Sequence, residues 1–253
     1  MFGGIGAGAV AAAMIVALMA GAVKGAVGFA MPMIMVSALG SFLPAETAVA
    51  ALILPTVLAN AMQALRQGLG VAWTVLREYA RLIGVLMVTI LLTAQLLPVI
   101  PQRVLFVILG GPILAYALAE LVGRRLHLPP QRSAAMDWVV GLISGLFGGL
   151  SGSWGPLIVA WLVALRAGKA ESMRAQGVIY LVAGAALFVG HLKSGVLNAQ
   201  STPLSLLLVL PAGLGMWIGF AVHDRLDPDL FRRWTLVVLA FAGANLLRRG
   251  LMG

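Results

Sequence analysis

Gly21-Ala22-Val23-Lys24-Gly25-Ala26-Val27-Gly28-Phe29, followed by Pro32, returns 120 residues later as Gly141-Leu142-Ile143-Ser144-Gly145-Leu146-Phe147-Gly148-Gly149, followed by Pro156. Both copies lie inside long apolar tracts. Glycine and proline interrupt helices, and matched interruptions in the two halves of a membrane chain point to a transporter's binding site. The phrase therefore bears on function as well as fold.

The tracts around it set the class. The chain is 61% hydrophobic and 10% charged, against roughly 25% charged for a soluble domain. Met1 to Val23, Thr47 to Leu65, Leu82 to Gln102, Val104 to Ala119 and Ser194 to Val222 contain no Asp, Glu, Lys or Arg. A helix needs roughly 20 mainly apolar residues to cross a bilayer. The expectation is an all-α integral membrane protein with about 8 to 10 membrane helical segments, by the same length rule. Met1 to Ala20 has no basic leader region and reads as the first membrane element rather than a cleaved signal. With no cysteine, disulfide, thiolate-metal and thiol-redox chemistry are excluded. The net charge of +9 sits in short loops, as topology determinants do, so nucleic acid is not an expected partner.

The order of features repeats. Residues 124–136, a basic linker, separate a first repeat (1–123) from a second (137–253). Each half carries an acidic residue near a helix start, Glu46 and Glu171, and then a basic turn, Arg66-Gln67-Gly68 or Lys193-Ser194-Gly195. The tract between Asp137 and Arg166 holds 28 uncharged residues broken by glycines and Pro156. It is either one broken crossing or a re-entrant hairpin. A crossing makes the repeats parallel and divides the basic loop residues nine to seven. A hairpin makes them inverted and puts twelve on one side, leaving Arg103, Lys193, Arg248 and Arg249 on the other. Cytoplasmic loops carry such an excess, so inverted repeats with both termini outside are expected. Trp234 to Leu247 reads as a short final crossing of 14 residues flanked by arginines.

Lys24 has 23 uncharged residues before it and 21 after. A lysine at the bilayer centre costs roughly 2.5–3.5 kcal/mol and usually faces a water-filled path or a partner. It is a candidate counter-charge for an anion, the other possibility being a turn at the membrane surface. Ser151-Gly152-Ser153-Trp154-Gly155-Pro156 offers two hydroxyls, open backbone N–H groups and a proline suited to a helix's first turn. A helix starting there would aim its positive end at an anion, with Ser153 near the N-cap. The alternative use of these glycines is close helix packing. Arg174 and Gln176 near the start of a later helix, with Asn60, Gln63 and His191 as secondary candidates, complete the set. Gly149-Leu150-Ser151-Gly152 also matches the Gly-x-Ser-Gly of rhomboid-type serine proteases, with His191 on a later helix. That pattern is cheap among 31 glycines and leaves the Lys24 copy unexplained.

Taken together, Gly21-x-x-Lys24-Gly25-x-x-Gly28-Phe29 with Pro32, Gly141-x-x-Ser144-Gly145-x-x-Gly148-Gly149 with Gly155-Pro156, and Lys169-Ala170-Glu171-Ser172-x-Arg174-Ala175 resemble the TauE/SafE family over nearly the whole chain. The resemblance implies a secondary transporter, not an enzyme, for sulfite, sulfonates such as sulfoacetate or isethionate, or another small anion. Many members carry further glycines where this chain has Ser151, Ser153 and Trp154. The expected site is Lys24 with Gly25, Gly28, Gly152 and Gly155 as backbone donors, Ser151 and Ser153 as hydroxyls, Trp154 as a shaping wall, and Arg174 or Gln176 at the rim. One repeat would rock against the other in a bacterial-type cytoplasmic membrane. No ATP-binding motif is present, so transport runs down the anion's gradient or couples to an ion, protons first. No cofactor or metal is expected. The expected partners are a small anion and the lipid bilayer, with homodimerisation left open, and a non-transporting membrane scaffold remains the other alternative.

Overall fold

The computed structural model describes residues 5–66, 68–124, 131–165, 167, 169–223 and 228–252. Gln67, Arg166, Arg225 and linker residues 125–130, with His127 among them, lie outside the described residues. The chain is helical throughout the described residues. The elements are α1 (Ala7–Val27), α2 (Met31–Leu39), α3 (Ala45–Leu65), α4 (Leu69–Glu78), α5 (Ala80–Thr93) continued by a 3-10 turn (Ala94–Val99), and α6 (Gln102–Leu121). They continue with α7 (Ala134–Ser151), α8 (Gly155–Ala164), α9 (Lys169–Lys193), α10 (Thr202–His223) and α11 (Pro228–Met252). Seven of these, α1, α3, α5 with its 3-10 turn, α6, α7, α9 and α10, are long and apolar enough to cross a membrane. The final helix corrects the expected 14-residue segment: α11 runs for 25 residues and takes in the arginines at both flanks.

The glycines set helix spacing. In α1, Gly21 and Gly25 lie against the backbone of α10, where a Cβ would overlap Ala212 O and Met216 O. Gly215 and Gly219 of α10 do the same in return against Leu18 O and Ala22 O. The second phrase packs α7 on α5 in the same manner. A Cβ on Gly141 would sit 2.9 Å from Val85 Cβ, and one on Gly145 2.5 Å from Thr89 Cβ. Membrane helices associate largely through such small-residue faces, because lipid tails supply no hydrophobic drive between them.

Contact order gives the helix directions. Gly21 faces Ala212 and Gly25 faces Gly219, so α1 and α10 run parallel. Gly141 faces Val85 and Gly149 faces Thr93, so α7 and α5 are parallel as well. Helix α3 is antiparallel to α9, with Gln63 beside Gly177 and Val57 beside Gly184. It is parallel to α10, since Ser205 reaches Ala51 and Leu54 while Gly213 meets Leu58. Helix α5 starts at the end where α3 stops and finishes beside α9's far end, with Ala94 against Gly190. Thus α7 and α9 start at the same end of the molecule, and the chain between them returns through α8. Likewise α1 and α3 start together at the opposite end, with α2 as the return. Both glycine phrases therefore belong to re-entrant hairpins, not broken crossings.

One end of the bundle collects the starts of α5, α7, α9 and α11, together with the ends of α3, α6 and α10. It carries Arg66, Arg77, Arg81, Arg124 and Arg132, and the α9 start adds Arg174. There Arg132 bonds Glu78 at 3.3 Å, lies over the Tyr79 ring and sits 3.9 Å from Asp137. The opposite end keeps Arg103, Lys193, Arg248 and Arg249. Helix α7 begins at Ala134, inside the stretch the sequence assigned to the linker.

A proline inside a helix frees a carbonyl one turn back. Pro55 in α3 frees Ala51 O, and Ser205 Oγ of α10 donates to that oxygen at 3.2 Å while accepting from Leu54 N at 3.1 Å. In lipid such a repair is needed because no water can supply it. It also fixes α10 against α3 beside the central cleft.

Candidate functional site: a cleft between two re-entrant hairpins

Each hairpin turns at a glycine in the left-handed region. Gly28 has φ +86° and its N–H bonds Lys24 O at 2.7 Å; Gly152 has φ +72° and bonds Gly148 O at 2.7 Å. This is the glycine C-cap that ends helices in general. The turns thus fall at the end of each phrase. Helix α1 continues through Lys24 and Gly25 to Val27, so Lys24 lies one turn before the break and not in a surface turn. After each turn a short helix starts with proline at its second position, Met31-Pro32 in α2 and Gly155-Pro156 in α8. Residue 30 adds a left-handed alanine at φ 75°, a conformation that costs an L-residue roughly 1–2 kcal/mol.

The two short-helix starts meet. Ala30, Pro32 and Met33 from one and Ser153, Trp154 and Gly155 from the other enclose a small cleft with Lys24, Phe29, Asn60 and Tyr180. Its volume is about 10 Å3, enough for a single water. The first N–H groups of a helix have no partner within it, and they carry the positive end of the dipole. Two such starts directed into one buried space form an anion-binding environment.

Lys24 is 1% exposed and lies in the last turn of α1, not in a surface loop. Its Nζ sits 5.1 Å from the centroid of the Tyr180 ring and 3.4 Å from Gly28 O. Among the described residues no carboxylate comes within ion-pair distance of it. Tyr180 in turn donates from its hydroxyl to Gly155 O at 3.2 Å, while its backbone carbonyl accepts from Asn60 Nδ2 at 2.6 Å. Asn60 Oδ1 and Ser153 Oγ are buried and have no hydrogen-bond partner. An unpaired buried polar atom costs roughly 1–3 kcal/mol, so these two are groups that a ligand or water would complete.

The remaining expected residues divide. Gly28, Gln63 and Gln176 form a second polar layer nearer the basic end: a Cβ on Gly28 would lie 2.9 Å from Gln176 Oε1 and 3.3 Å from Gln63 Nε2. Gln63 donates to Met173 O at 3.2 Å and Gln176 to Ser172 Oγ at 3.0 Å, and both side-chain carbonyls are buried without partners. Gly25 is a packing residue against α10 and does not line the cleft. Gly152 lines it, with Pro32 Cβ 3.2 Å from where its own Cβ would be. Ser151 is set back, its Oγ donating to Phe147 O at 2.9 Å. Ser153 was expected to cap α8 and does not, since its Oγ is unbonded. Arg174 is half-buried at the start of α9, outside the cleft. His191 is fully buried with Nδ1 3.4 Å from Ser194 Oγ, so it forms no pair with Ser151.

Phe29, Ala30, Pro32, Met33 and Tyr180 also line the cleft and were not among the site residues expected from sequence. Tyr180 had a legible signal: it stands four residues after Gln176 and four before Gly184, the i, i+4 spacing of a single helix face. That face is the one packed on α3.

The TauE/SafE sulfite exporter family model matches residues 13–246, which takes in both hairpin turns and every residue of the cleft. No curated protein and no solved structure gives a significant match. With this span of agreement, and with the glycine phrases where both hairpins turn, the chain belongs to the sulfite exporter TauE/SafE family, and is a membrane protein of anion-exporter type.

Proposed function

We propose that this protein is a secondary transporter that exports a small sulfur-containing anion, sulfite or a compact sulfonate, across a bacterial-type cytoplasmic membrane. The observation that carries this is Lys24: a buried lysine without a carboxylate partner among the described residues, facing a cleft into which two helix N-termini point. An oxoanion there would receive the Lys24 charge, the free N–H groups at the starts of α2 and α8, and the Ser153 hydroxyl. Tyr180 and Asn60 would position these donors.

The helix directions support two inverted repeats of 1–123 and 137–253 with the basic end in the cytoplasm, since the cytoplasmic face of a membrane protein carries the arginine excess. Access to the cleft from alternate sides would follow from movement of the hairpins. Coupling to protons is part of the proposal. The protease alternative gains no support, because Ser151 spends its hydroxyl on its own helix and a serine nucleophile needs a base within reach.

The direct test is flux of sulfite and short sulfonates in proteoliposomes of the purified protein, with Lys24→Ala beside the parent. Anion-specific flux that Lys24→Ala abolishes is expected. Parent-level flux through the variant would remove Lys24 from the site, and no flux of any sulfur anion through the parent would overturn the assignment.

A further inference from the structure

A second, much larger cavity shares a wall with the anion cleft. Met33, Ser153 and Trp154 line both. The larger space holds about 470 Å3 between α6, α7 and the start of α8, within the roughly 300–1,000 Å3 of ligand sites. Its surface is almost wholly apolar: Ile108, Pro112 and Ile113 of α6 face Ile143 and Phe147 of α7, with Leu157 of α8 closing the inner end. Glu120 and Arg124 line it toward the basic end of the bundle. A passage for a bare, strongly hydrated anion gains nothing from such walls, because every step along them strips water without replacing it.

Three serine hydroxyls, of Ser144, Ser151 and Ser153, interrupt the apolar lining. Ser144 is 2% exposed and its Oγ has no hydrogen-bond partner; Ser153 Oγ is likewise unpartnered. Ser144, Phe147 and Ser151 stand on one face of α7 at helical spacing and all line this cavity. The space therefore presents an apolar chamber with the Ser153 hydroxyl on the wall it shares with the cationic cleft. That is the pattern of an amphiphile: charged head in the cleft, apolar body in the chamber.

We propose that the chamber between α6 and α7 binds the hydrocarbon part of an organosulfonate, so that the transported anions include alkyl or aryl sulfonates as well as sulfite. This rests on the anion cleft proposed above and extends it. Trp154, 2% exposed, is the partition the chain must pass, and its ring lies 6.3 Å from that of Tyr180.

The test compares binding of sulfite with methane-, butane- and hexanesulfonate by thermal shift of the purified full chain. A buried methylene is worth about 0.8 kcal/mol, or about fourfold in affinity. Affinity should rise about fourfold per methylene from methane- to butanesulfonate. Ala115→Trp, which adds a ring to the chamber wall, should flatten that series and leave sulfite binding at the parent value. Ser144→Leu, a smaller intrusion, should shorten the longest chain accepted. Equal affinity for methane- and hexanesulfonate in the parent would overturn the chamber while leaving the anion cleft standing. An equal fall for sulfite and hexanesulfonate in Ala115→Trp would also overturn it, as would competition by 1-hexanol as strong as by hexanesulfonate, which would mark a lipid-chain site. Absence of binding by every anion would overturn both chamber and cleft.

Discussion

Replacing Lys24 by methionine separates function from stability. The side chain is fully buried among α1, α9 and the hairpin turns, and among the described residues no carboxylate offsets its charge. A lysine at membrane depth costs roughly 2.5–3.5 kcal/mol. Two contacts repay part of this. The Tyr180 ring at 5.1 Å contributes about 0.5–2 kcal/mol. The bond to Gly28 O at 3.4 Å is beyond the usual N–H···O distance and adds less than a well-formed charged bond would. Methionine keeps the length and most of the packing. Lys24→Met should therefore be more stable than the parent by about 1 kcal/mol, or roughly 2–4 °C in apparent Tm at this chain length. Flux and anion-dependent thermal shift should both be lost. The assay is thermal unfolding in detergent with and without sulfite, paired with proteoliposome flux. A fall in Tm of several degrees without anion would mean that Lys24 holds α1 in place structurally, and the counter-charge argument would fail.

Three further outcomes follow from the same geometry. Gly28→Ala forces a Cβ into the left-handed region, at about 1–2 kcal/mol, and toward Gln176 Oε1 at 2.9 Å; reduced Tm together with lost flux is expected, and a fully active variant would show the turn to be tolerant. Tyr180→Phe keeps the ring beside Lys24 but removes the donor to Gly155 O, so stability should fall by about 0.5–1.5 kcal/mol and anion affinity should weaken, which titration by thermal shift would read. The chain has no cysteine, so single cysteines report topology cleanly. Ala199→Cys, in the loop before α10, should react with an impermeant maleimide in intact cells, while Trp73→Cys on α4 should react only after permeabilisation; the reverse pattern would invert the proposed orientation.

Much of this architecture is legible in residue order alone, and the reasons differ by feature. Uncharged runs mark spans because charge in hydrocarbon is costly, and six of the seven crossing helices overlap a run named from composition or lie in the Asp137–Arg166 tract. The hairpin direction was argued from where twelve arginines and lysines would fall, of which Arg66, Arg77, Arg81, Arg124, Arg132 and Arg174 lie at one end of the described bundle. The role of each glycine was not. Gly21 and Gly28 look alike in sequence, yet one meets a neighbouring backbone and the other has φ +86°. That distinction depends on which helix packs alongside, and Gly215 and Gly219 of α10 are nearly 200 positions away. Tyr180 was missed for the same reason: its partners Lys24, Asn60 and Gly155 come from three separate segments. The full length of α11 was hidden because Arg232, Arg233, Arg248 and Arg249 read as boundaries, whereas long basic side chains can snorkel from within a helix.

The packing glycines also constrain how the cleft opens. Helix α1 of the first half touches α10 of the second through backbone, at Gly21, Gly25, Gly215 and Gly219, and α7 touches α5 through Gly141, Gly145 and Gly149. The α1–α10 contact is backbone on backbone, and the α7 glycines sit directly against the Val85, Thr89 and Thr93 side chains of α5; surfaces this close leave no room to slide, so each pair is expected to move as one piece. Each piece would then mix both halves of the sequence, an alternative to one repeat rocking against the other. On that expectation the movement would separate the α1–α2 hairpin, carried with α10, from the α7–α8 hairpin, carried with α5. Paired cysteines test this. A Cβ on Gly155 would lie 3.5 Å from Phe29 Cβ, across the two pieces, within the roughly 3.5–4.5 Å that a disulfide spans. A Cβ on Gly141 would lie 2.9 Å from Val85 Cβ, inside one piece, and needs a shift of about half an ångström to reach the same range. Oxidation of Phe29→Cys/Gly155→Cys should stop flux and reduction should restore it, while Val85→Cys/Gly141→Cys should transport equally in both states. If the second pair is the one that blocks on oxidation, α7 moves against α5 and the pieces are drawn wrongly.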